Sequence, residues 1–136
     1  MSTVLAVWDA LVALGQATLS GFQVVEGPAD SVSTLGAKVL IVGDGDIVSL
    51  PPLEVETASE AYEMPLTISV SLPGTDMRAP ISAALAAYAL MESAIRGSSV
   101  QGVLRLLPGD WRVQTASDSD GRHAAVKFGV RAYAQI

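Results

Sequence analysis

The sequence predicts a fold that mixes helices and strands, and three stretches support this prediction. Residues 62–72 alternate apolar and polar side chains without a break, which is typical of a strand buried on one side. Shortly after them, residues 80–96 repeat apolar side chains at helical spacing. Near the C terminus, residues 111–116 and 122–136 flank an Asp-Gly pair, and such a pair between alternating runs predicts a β-hairpin.

The N-terminal segment, residues 3–20, predicts an amphipathic helix that begins at Ser2 or Thr3 and ends at Gly21. The apolar stripe of this helix is expected to comprise Leu5, Trp8, Leu11, Val12 and Leu19. Gly15 falls on or beside the stripe, where a glycine costs about 1 kcal/mol relative to alanine. We therefore expect Gly15 to allow close approach of another backbone, such as the small-residue side of the second helix.

Two short strands are predicted next. Residues 22–26 form the first, which Gly-Pro stops, and the fully apolar residues 39–42 form the second, which is expected to be central in the sheet. Residues 43–52 are expected to form a loop. Residues 53–57 alternate again and predict either an edge strand protected by its charges or a hairpin arm that pairs with the strand at 62–72.

The stretch from 61 to 97 is the strongest prediction in the chain. The face of the strand that is expected to be buried comprises Tyr62, Met64, Leu66, Ile68, Val70 and Leu72. Residues 73–76 read Pro-Gly-Thr-Asp and predict a turn. A helix follows with Pro80 in its first turn and with Gly97 at the position just beyond its end. The buried stripe of this helix is predicted to comprise Ile81, Leu85, Tyr88, Met91 and Ile95.

The other side of this second helix carries small or apolar residues where a surface helix usually carries Lys and Glu. These residues are Ala83, Ala86, Ala87, Leu90 and Ala94. Glu92 is the only charge between Arg78 and Arg96. One interpretation is an alanine-rich helix that forms by propensity alone. The other is a second contact surface, which another subunit covers.

The C-terminal part is predicted to end in the hairpin. Residues 98–110 fit either a short strand or a hydrophobic loop. Residues 111–116 are expected to pair with residues 122–136 across the turn at 117–121. In the last strand Val126, Phe128, Val130, Ala132 and Ala134 are expected to share one face.

Composition limits the classes of function. The 136 residues suit a single domain spanning residues 1–136, and the absence of cysteine excludes disulfides and thiolate metal sites. Half of the residues are apolar and the mean hydropathy is +0.43, yet no apolar run approaches the roughly 20 residues of a membrane span. We therefore expect no membrane partner, and the apolar excess indicates burial between chains. A net charge of −6 argues against binding to nucleic-acid phosphates.

The charge is unevenly distributed along the chain. Residues 1–77 hold ten acids and one base, whereas residues 78–136 hold seven bases and four acids. If the two halves occupy different sides of the fold, head-to-tail contact between copies is attractive, and such contacts can close into rings. If the charges intermix, that attraction is lost. The candidate charge-complementary interface comprises Arg78, Arg105, Arg112 and Arg131.

No catalytic residue, cofactor site or metal site is predicted. His123 stands alone, without the second histidine, cysteine or nucleophile that a zinc site or a catalytic triad needs. The Gly-Asp-Gly-Asp run at 43–46 lacks the lysine of a phosphate loop and is interpreted as a turn. Asp118 and Asp120 resemble the start of a calcium loop, but its later ligands are missing. Four glutamates, which could suggest acid–base chemistry, are better interpreted as a solvated charged edge: Glu54, Glu56, Glu60 and Glu63.

The order of these elements resembles the tail terminator (tail completion) proteins of long-tailed bacteriophages. The resemblance covers nearly the whole chain and rests on four stretches: AKVLIVGD, AYEMPLTISVSLPG, RAPISAALAAYALMESAIRG and GDWRVQTASDSDGRHAAVKFGVRAYAQI. It implies an α+β fold with a mainly antiparallel sheet, two helices on one face and a C-terminal β-hairpin.

The resemblance also implies a function without enzymatic activity. Such a protein forms a homo-oligomeric ring, a hexamer, that caps the tail tube, ends tail polymerisation and contacts the head-tail connector. DNA passes through the lumen without specific binding, and the protein is found at the head-proximal end of the tail after assembly in the host cytoplasm. The residues proposed for the subunit or tube interface are the five on the second helix together with Asp44, Asp46, Glu54 and Glu56. Strand edges are expected to join across subunits.

Two alternatives stay open on the sequence. One is a head-completion or connector protein of the phage neck, which would share this composition. The other is a small hydrolase or ligand-binding α+β domain, which would need a pocket with convergent polar groups.

Overall fold

The structure, a computed structural model, describes residues 2–27, 36–51 and 60–135. Its elements are α1 (Val4–Thr18), β1 (Gln23–Glu26), β2 (Lys38–Val42), β3 (Val48–Ser49), β4 (Glu60–Leu72), α2 (Arg78–Arg96), β5 (Val103–Asp118) and β6 (Gly121–Ala134). The strands form one sheet in the order β1-β2-β4-β6-β5, with β3 beside β4. Only the β1–β2 pair is parallel among the described strands, so the predicted α+β fold with a mainly antiparallel sheet is confirmed.

The unit of β4 and α2 matches its prediction closely. Five of the six side chains that the alternation assigned to the core face of β4 are buried, and Leu72 is half-buried. Helix α2 buries Tyr88, Met91 and Ile95 as its spacing predicted, whereas Ile81 and Leu85 of the predicted stripe are half-buried. Gly97 follows the last helical residue, as predicted, with φ at −88°, a value that any residue adopts.

Helix α1 forms where predicted but is rotated relative to the predicted stripe. It buries Val7, Leu11 and Gly15, whereas Leu5 is 74% exposed. The close approach at Gly15 is to Leu40 and Val24 in the sheet and not to α2, because a Cβ at residue 15 would overlap the Leu40 side chain. Packing against β1 and β2 therefore decides which face of this alanine-rich helix turns inward.

The C-terminal hairpin is longer than predicted. β5 begins at Val103, so the ambiguous segment before Trp111 is a strand, and it pairs with β6 across a two-residue turn at 119–120. The register of this pair shifts between Pro108 and Trp111, which marks a β-bulge. That bulge interrupts the alternation on which a sequence-based assignment depends. In β6 every residue that was predicted to share the inner face is buried.

Both helices lie on one face of the sheet and share one hydrophobic core with it. The opposite face, called here the open face, displays the alternate residues of β4, β5 and β6. The predicted strand at 53–57 lies outside the described residues. Within the predicted loop at 43–52, the two residues of β3 pair with Tyr62 and Glu63 of β4. Neither described helix is long and apolar enough to cross a membrane.

Candidate functional site

The outward side of α2 is an uncharged surface, and it includes part of the predicted interface. Leu90 is 55% exposed and Ala86 is exposed, while Ala83 and Ala94 are half-buried. Ala87 is only 4% exposed, because it packs into the core with Ala84, and so we exclude it from this surface. The outer face of α2 is defined here by its exposed residues between Arg78 and Arg96, the exposed charges at its two ends: Ala79, Ser82, Ala86, Ala89, Leu90 and Ser93.

This surface follows from how α2 packs on the sheet. The small side chains of Ala84 and Ala87 bring the helix close to the sheet, while Tyr88, Met91 and Ile95 fill the space beneath it. Apolar and small residues remain on the outside, where no described element packs on Leu90. An exposed leucine among alanines and serines is a surface that gains free energy when a partner covers it.

Of the four acidic residues that were predicted for the interface, the structure describes Asp44 and Asp46. The Thr67 hydroxyl donates to Asp44 at 2.8 Å, so Asp44 is tied to β4. Asp46 is exposed and stands next to Ile47 and Val48, which are 38% and 53% exposed. Glu54 and Glu56 lie outside the described residues.

The Gly-Asp-Gly-Asp run is a turn against β4. The backbone N–H groups of Gly43 and Asp44 both donate to the carbonyl of Pro65, at 2.8 and 3.2 Å. A phosphate loop needs such N–H groups to point toward its ligand. Since these two N–H groups are bonded to the neighbouring strand, the turn has no anion cradle at this position.

Three of the four predicted arginines lie on β5 and β6, on the open face. Arg112 stands directly opposite Lys127, Arg131 stands opposite Glu63, and Arg105 stands opposite Tyr133. The guanidinium of Arg131 donates to Glu63 at 3.0 Å, and this bond together with the charge of Glu63 raises the pKa of Arg131. Arg78 lies at the start of α2 in the helical layer and is therefore not part of this group.

The two charge sets occupy different parts of the sheet. The acidic first half of the chain supplies β1, β2, β3 and β4, and the more basic second half supplies β6 and β5. The two parts meet at the β4–β6 pair, where Glu63 and Arg131 form an ion pair. The charge asymmetry along the sequence thus becomes an asymmetry across the sheet.

An open groove at the β5 bulge was not predicted from the sequence. Its volume is about 400 Å³, and Trp111, Arg112 and Lys127 contribute to its wall. Trp111 is 50% exposed and lies 6.0 Å from Tyr88, measured between ring centroids, while Tyr88 packs edge-on against Phe128 at 4.9 Å. The adjacent Trp111 and Arg112 in the sequence could have indicated a contact surface here, because both residue types are enriched at interface hot spots.

Helix α1 is anchored to β4 by a polar network. The backbone N–H and the hydroxyl of Thr3 both donate to Glu60, at 2.9 and 2.7 Å, and the Thr3 hydroxyl also bonds Tyr62 at 3.0 Å. Burial alone would raise the pKa of Glu60, but the hydrogen bonds from Thr3 and Ser2 outweigh it, so the pKa is lowered. Burial raises the pKa of Tyr62. Glu60 therefore has a structural role.

His123 has two partners that hold the hairpin. Its Nδ1 bonds the Ser71 hydroxyl at 2.8 Å and its Nε2 bonds Asp118 at 2.9 Å. The bond from His123 lowers the pKa of Asp118. Asp118 also accepts the Asp120 N–H at 2.8 Å, which is the geometry of a turn. These contacts explain His123 and Asp118 without a catalytic or calcium-binding role.

Comparison with known proteins gives similarity in structure. No family model matches the chain, and no curated protein matches it. Among solved structures, a chain of "Virion of native gene transfer agent (GTA) particle" is similar, with a TM-score of 0.70 and 14% sequence identity. The similarity covers 99% of this chain and 98% of that chain. At this identity it demonstrates a shared fold.

Proposed function

We propose that this chain, which shares its fold with a chain of a gene transfer agent virion, is a structural protein of a phage-like virion. The observation that carries the proposal is the extent of that similarity, since 99% of this chain and 98% of the other superpose as one fold. The function that best fits is therefore one performed by the fold as a whole within an assembled particle.

The more specific proposal is that copies of the chain form a ring, a hexamer, at the head-proximal end of the tail. There the ring caps the tail tube, ends tail polymerisation and presents a surface to the head-tail connector. The order of elements that resembles tail terminator proteins supports this position. The α+β fold that the resemblance implied is the fold observed.

The surfaces of the chain support assembly with copies of itself. The outer face of α2 is uncharged and exposes Leu90, as expected of a surface that a subunit or the tube covers. The two ends of the sheet are formed by different strands, β1 with 4 residues and β5 with 16, so a contact between unlike ends is heterologous. Heterologous contacts close into rings when the rotation between copies allows it.

The acidic balance of the chain supports passage of DNA without binding. The net charge is −6, and the like charge of phosphate and protein keeps DNA from adhering to an acidic lumen. No catalytic chemistry is part of this proposal. The side chains of His123 and Glu60 both make hydrogen bonds that hold elements of the fold together.

The second candidate is a head-completion or connector protein of the phage neck. It is supported by the same similarity, because the similar chain belongs to a virion and a shared fold does not distinguish one position in a particle from another. Both candidate functions use the same surfaces of the chain, and they differ in the position of the ring within the particle.

Disruption of the gene distinguishes the two candidates. If the chain caps the tail, particles made without it contain tubes longer than normal that are not joined to heads. If the chain completes the head, tubes of normal length accumulate beside heads that lose DNA. Electron microscopy of the lysate measures the length of the tubes and shows whether the heads are joined to them and filled. Restoring the gene provides the control. Intact particles with normal tails would contradict both proposals.

A further inference from the structure

The two outer strands of the sheet, β1 and β5, differ in length, and no strand of the described ranges covers their outer edges. Within the described residues β5 pairs only with β6 and β1 pairs only with β2. β5 has 16 residues, and most of those from Trp111 to Asp118 are exposed. A long strand edge presents backbone N–H and C=O groups that can template another strand, and natural proteins usually protect such edges.

Pro108 and the bulge before Trp111 protect the first half of the β5 edge, whereas the second half carries little protection. Between Val113 and Ser117 the strand carries no charge, although charged side chains, especially lysine, are the usual means of blunting an edge. Two large apolar side chains of β5, Leu104 and Trp111, are each 50% exposed. An edge strand of this kind has the features of a strand that is covered in the assembled protein.

The strand directions identify what fits this edge. β1 runs parallel to β2, β2 is antiparallel to β4, β4 is antiparallel to β6, and β6 is antiparallel to β5. β1 and β5 therefore run in opposite directions at the two ends of one sheet. When copies are placed side by side in the same orientation, as in a ring, β5 of one copy meets β1 of the next in antiparallel fashion.

We propose that β5 of one copy pairs with β1 of the next copy, so that the sheets of neighbouring copies form one continuous sheet. This inference rests on the proposed ring and names the surface that closes it. The pairing continues the antiparallel pattern that most of the sheet already has. β1 and β5 of the same copy cannot pair with each other, because they lie at opposite ends of its sheet.

The helical layer is consistent with this arrangement. α2 packs over β4, β6 and β5, and α1 packs over β1 and β2 with one flank against α2 of the same copy. Joining β5 to the next β1 brings α2 of one copy beside α1 of its neighbour. Those two helices carry the exposed leucines, Leu90 on α2 and Leu5 on α1, which the fold of a single copy leaves 55% and 74% exposed.

Disulfide trapping tests the pairing directly, because the chain has no cysteine of its own. Val25 of β1 is on the open face, since it stands beside Ile41, which pairs with Thr67. Arg112, Gln114 and Ala116 are the open-face positions of β5 that would lie across from it. Three double variants are made, each with Val25→Cys and one of Arg112→Cys, Gln114→Cys or Ala116→Cys. Neighbouring strands place such pairs within disulfide distance when they are in register.

The expected result is a ladder of disulfide-linked dimers, trimers and larger species in at least one double variant after oxidation with copper phenanthroline, at protein concentrations up to about 1 mM. Each single variant stays monomeric, because a head-to-tail contact needs both cysteines. A control with Val25→Cys and Ser82→Cys, whose second cysteine is exposed on α2, forms no ladder. Thermal unfolding of every variant under reducing conditions verifies that it folds.

The absence of a ladder in all three folded double variants would overturn the pairing. Dimers that form in the Val25→Cys single variant would also overturn it, because they indicate a two-fold contact between like edges. The position of the chain in a virion is a separate measurement. The pairing can therefore fail while the tail-cap proposal stands, and it can hold if the chain belongs elsewhere in the particle.

Discussion

Replacing Leu90 by glutamate should prevent assembly and leave the fold of the single copy intact. Leu90 is 55% exposed, and leucine and glutamate have similar helix propensities, so the free energy of unfolding should change by less than about 0.5 kcal/mol. Full burial of a leucine contributes about 2 kcal/mol, so covering the exposed part of Leu90 contributes about 1 kcal/mol per copy. A carboxylate in the same contact adds a desolvation penalty, and we expect association to weaken by about thirtyfold or more.

The neighbouring residue provides the matched comparison. Met91 is fully buried, so Met91→Ala should lower the free energy of unfolding by about 3 kcal/mol. Urea denaturation measures both variants, and incorporation into tails, assayed by complementation of a disrupted gene, measures assembly. Thr75→Glu, at the exposed turn before α2, controls for the added charge. If Leu90→Glu and Ala86→Glu both support normal capped tails, the outer face of α2 is not an assembly surface.

Two further substitutions test the packing that positions these surfaces. Gly15→Ala should lower the free energy of unfolding by about 1 kcal/mol, because overlap with buried Leu40 outweighs the gain in helix propensity. Gly15→Ala should lower the free energy of unfolding by less when Leu40 is also replaced by valine. A Gly15→Ala variant that is more stable than the unchanged protein would contradict this packing. Glu60→Gln should cost about 1 kcal/mol at pH 7, because the hydrogen bonds from Thr3 would lose their charged acceptor. The pKa of Glu60 is lowered in the folded chain, so its contribution is present above its ordinary value of 4.5 and is lost as the pH falls through the folded pKa. The unfolding curves of the two proteins should converge at acid pH, and a constant difference would refute this role of Glu60.

Local patterns in the sequence predicted the parts of the fold whose burial is regular. The alternation in β4 and β6 predicted their inner faces, and the spacing in α2 predicted its buried stripe, because each of these elements meets the core along one continuous face. The Asp-Gly turn predicted the hairpin. The predicted exposure of Leu90 and Ala86 also follows from this spacing, once the inner stripe is assigned.

Contacts between distant residues account for what the sequence missed. α1 has apolar or small residues around most of its surface, so its packing on the sheet and on α2 decides that Val7 turns inward and Leu5 outward. The pattern places Ala87 on the outside because alanine is neutral in such patterns, and the close approach of α2 to the sheet buries it. The bond between Thr3 and Glu60 joins residues 57 positions apart, which no periodicity reveals.

The candidate surfaces depend on strand order, which the sequence did not determine. Arg105, Arg112 and Arg131 come together because β5 and β6 are neighbours with a particular register. Arg78 stays apart because it belongs to the helical layer. The bulge between Pro108 and Trp111 disrupts the alternation of side chains. The sequence pattern therefore predicts neither the start of β5 nor the groove beside the bulge.

A high-resolution reconstruction of the intact particle is the most direct test of the central claim that sister copies cover the surface left exposed by a single copy. The account predicts a closed ring of this chain at the head-proximal end of the tail, with Leu90 buried against a neighbouring copy. A map in which Leu90 faces solvent, or in which the chain is absent from the tail, would contradict it.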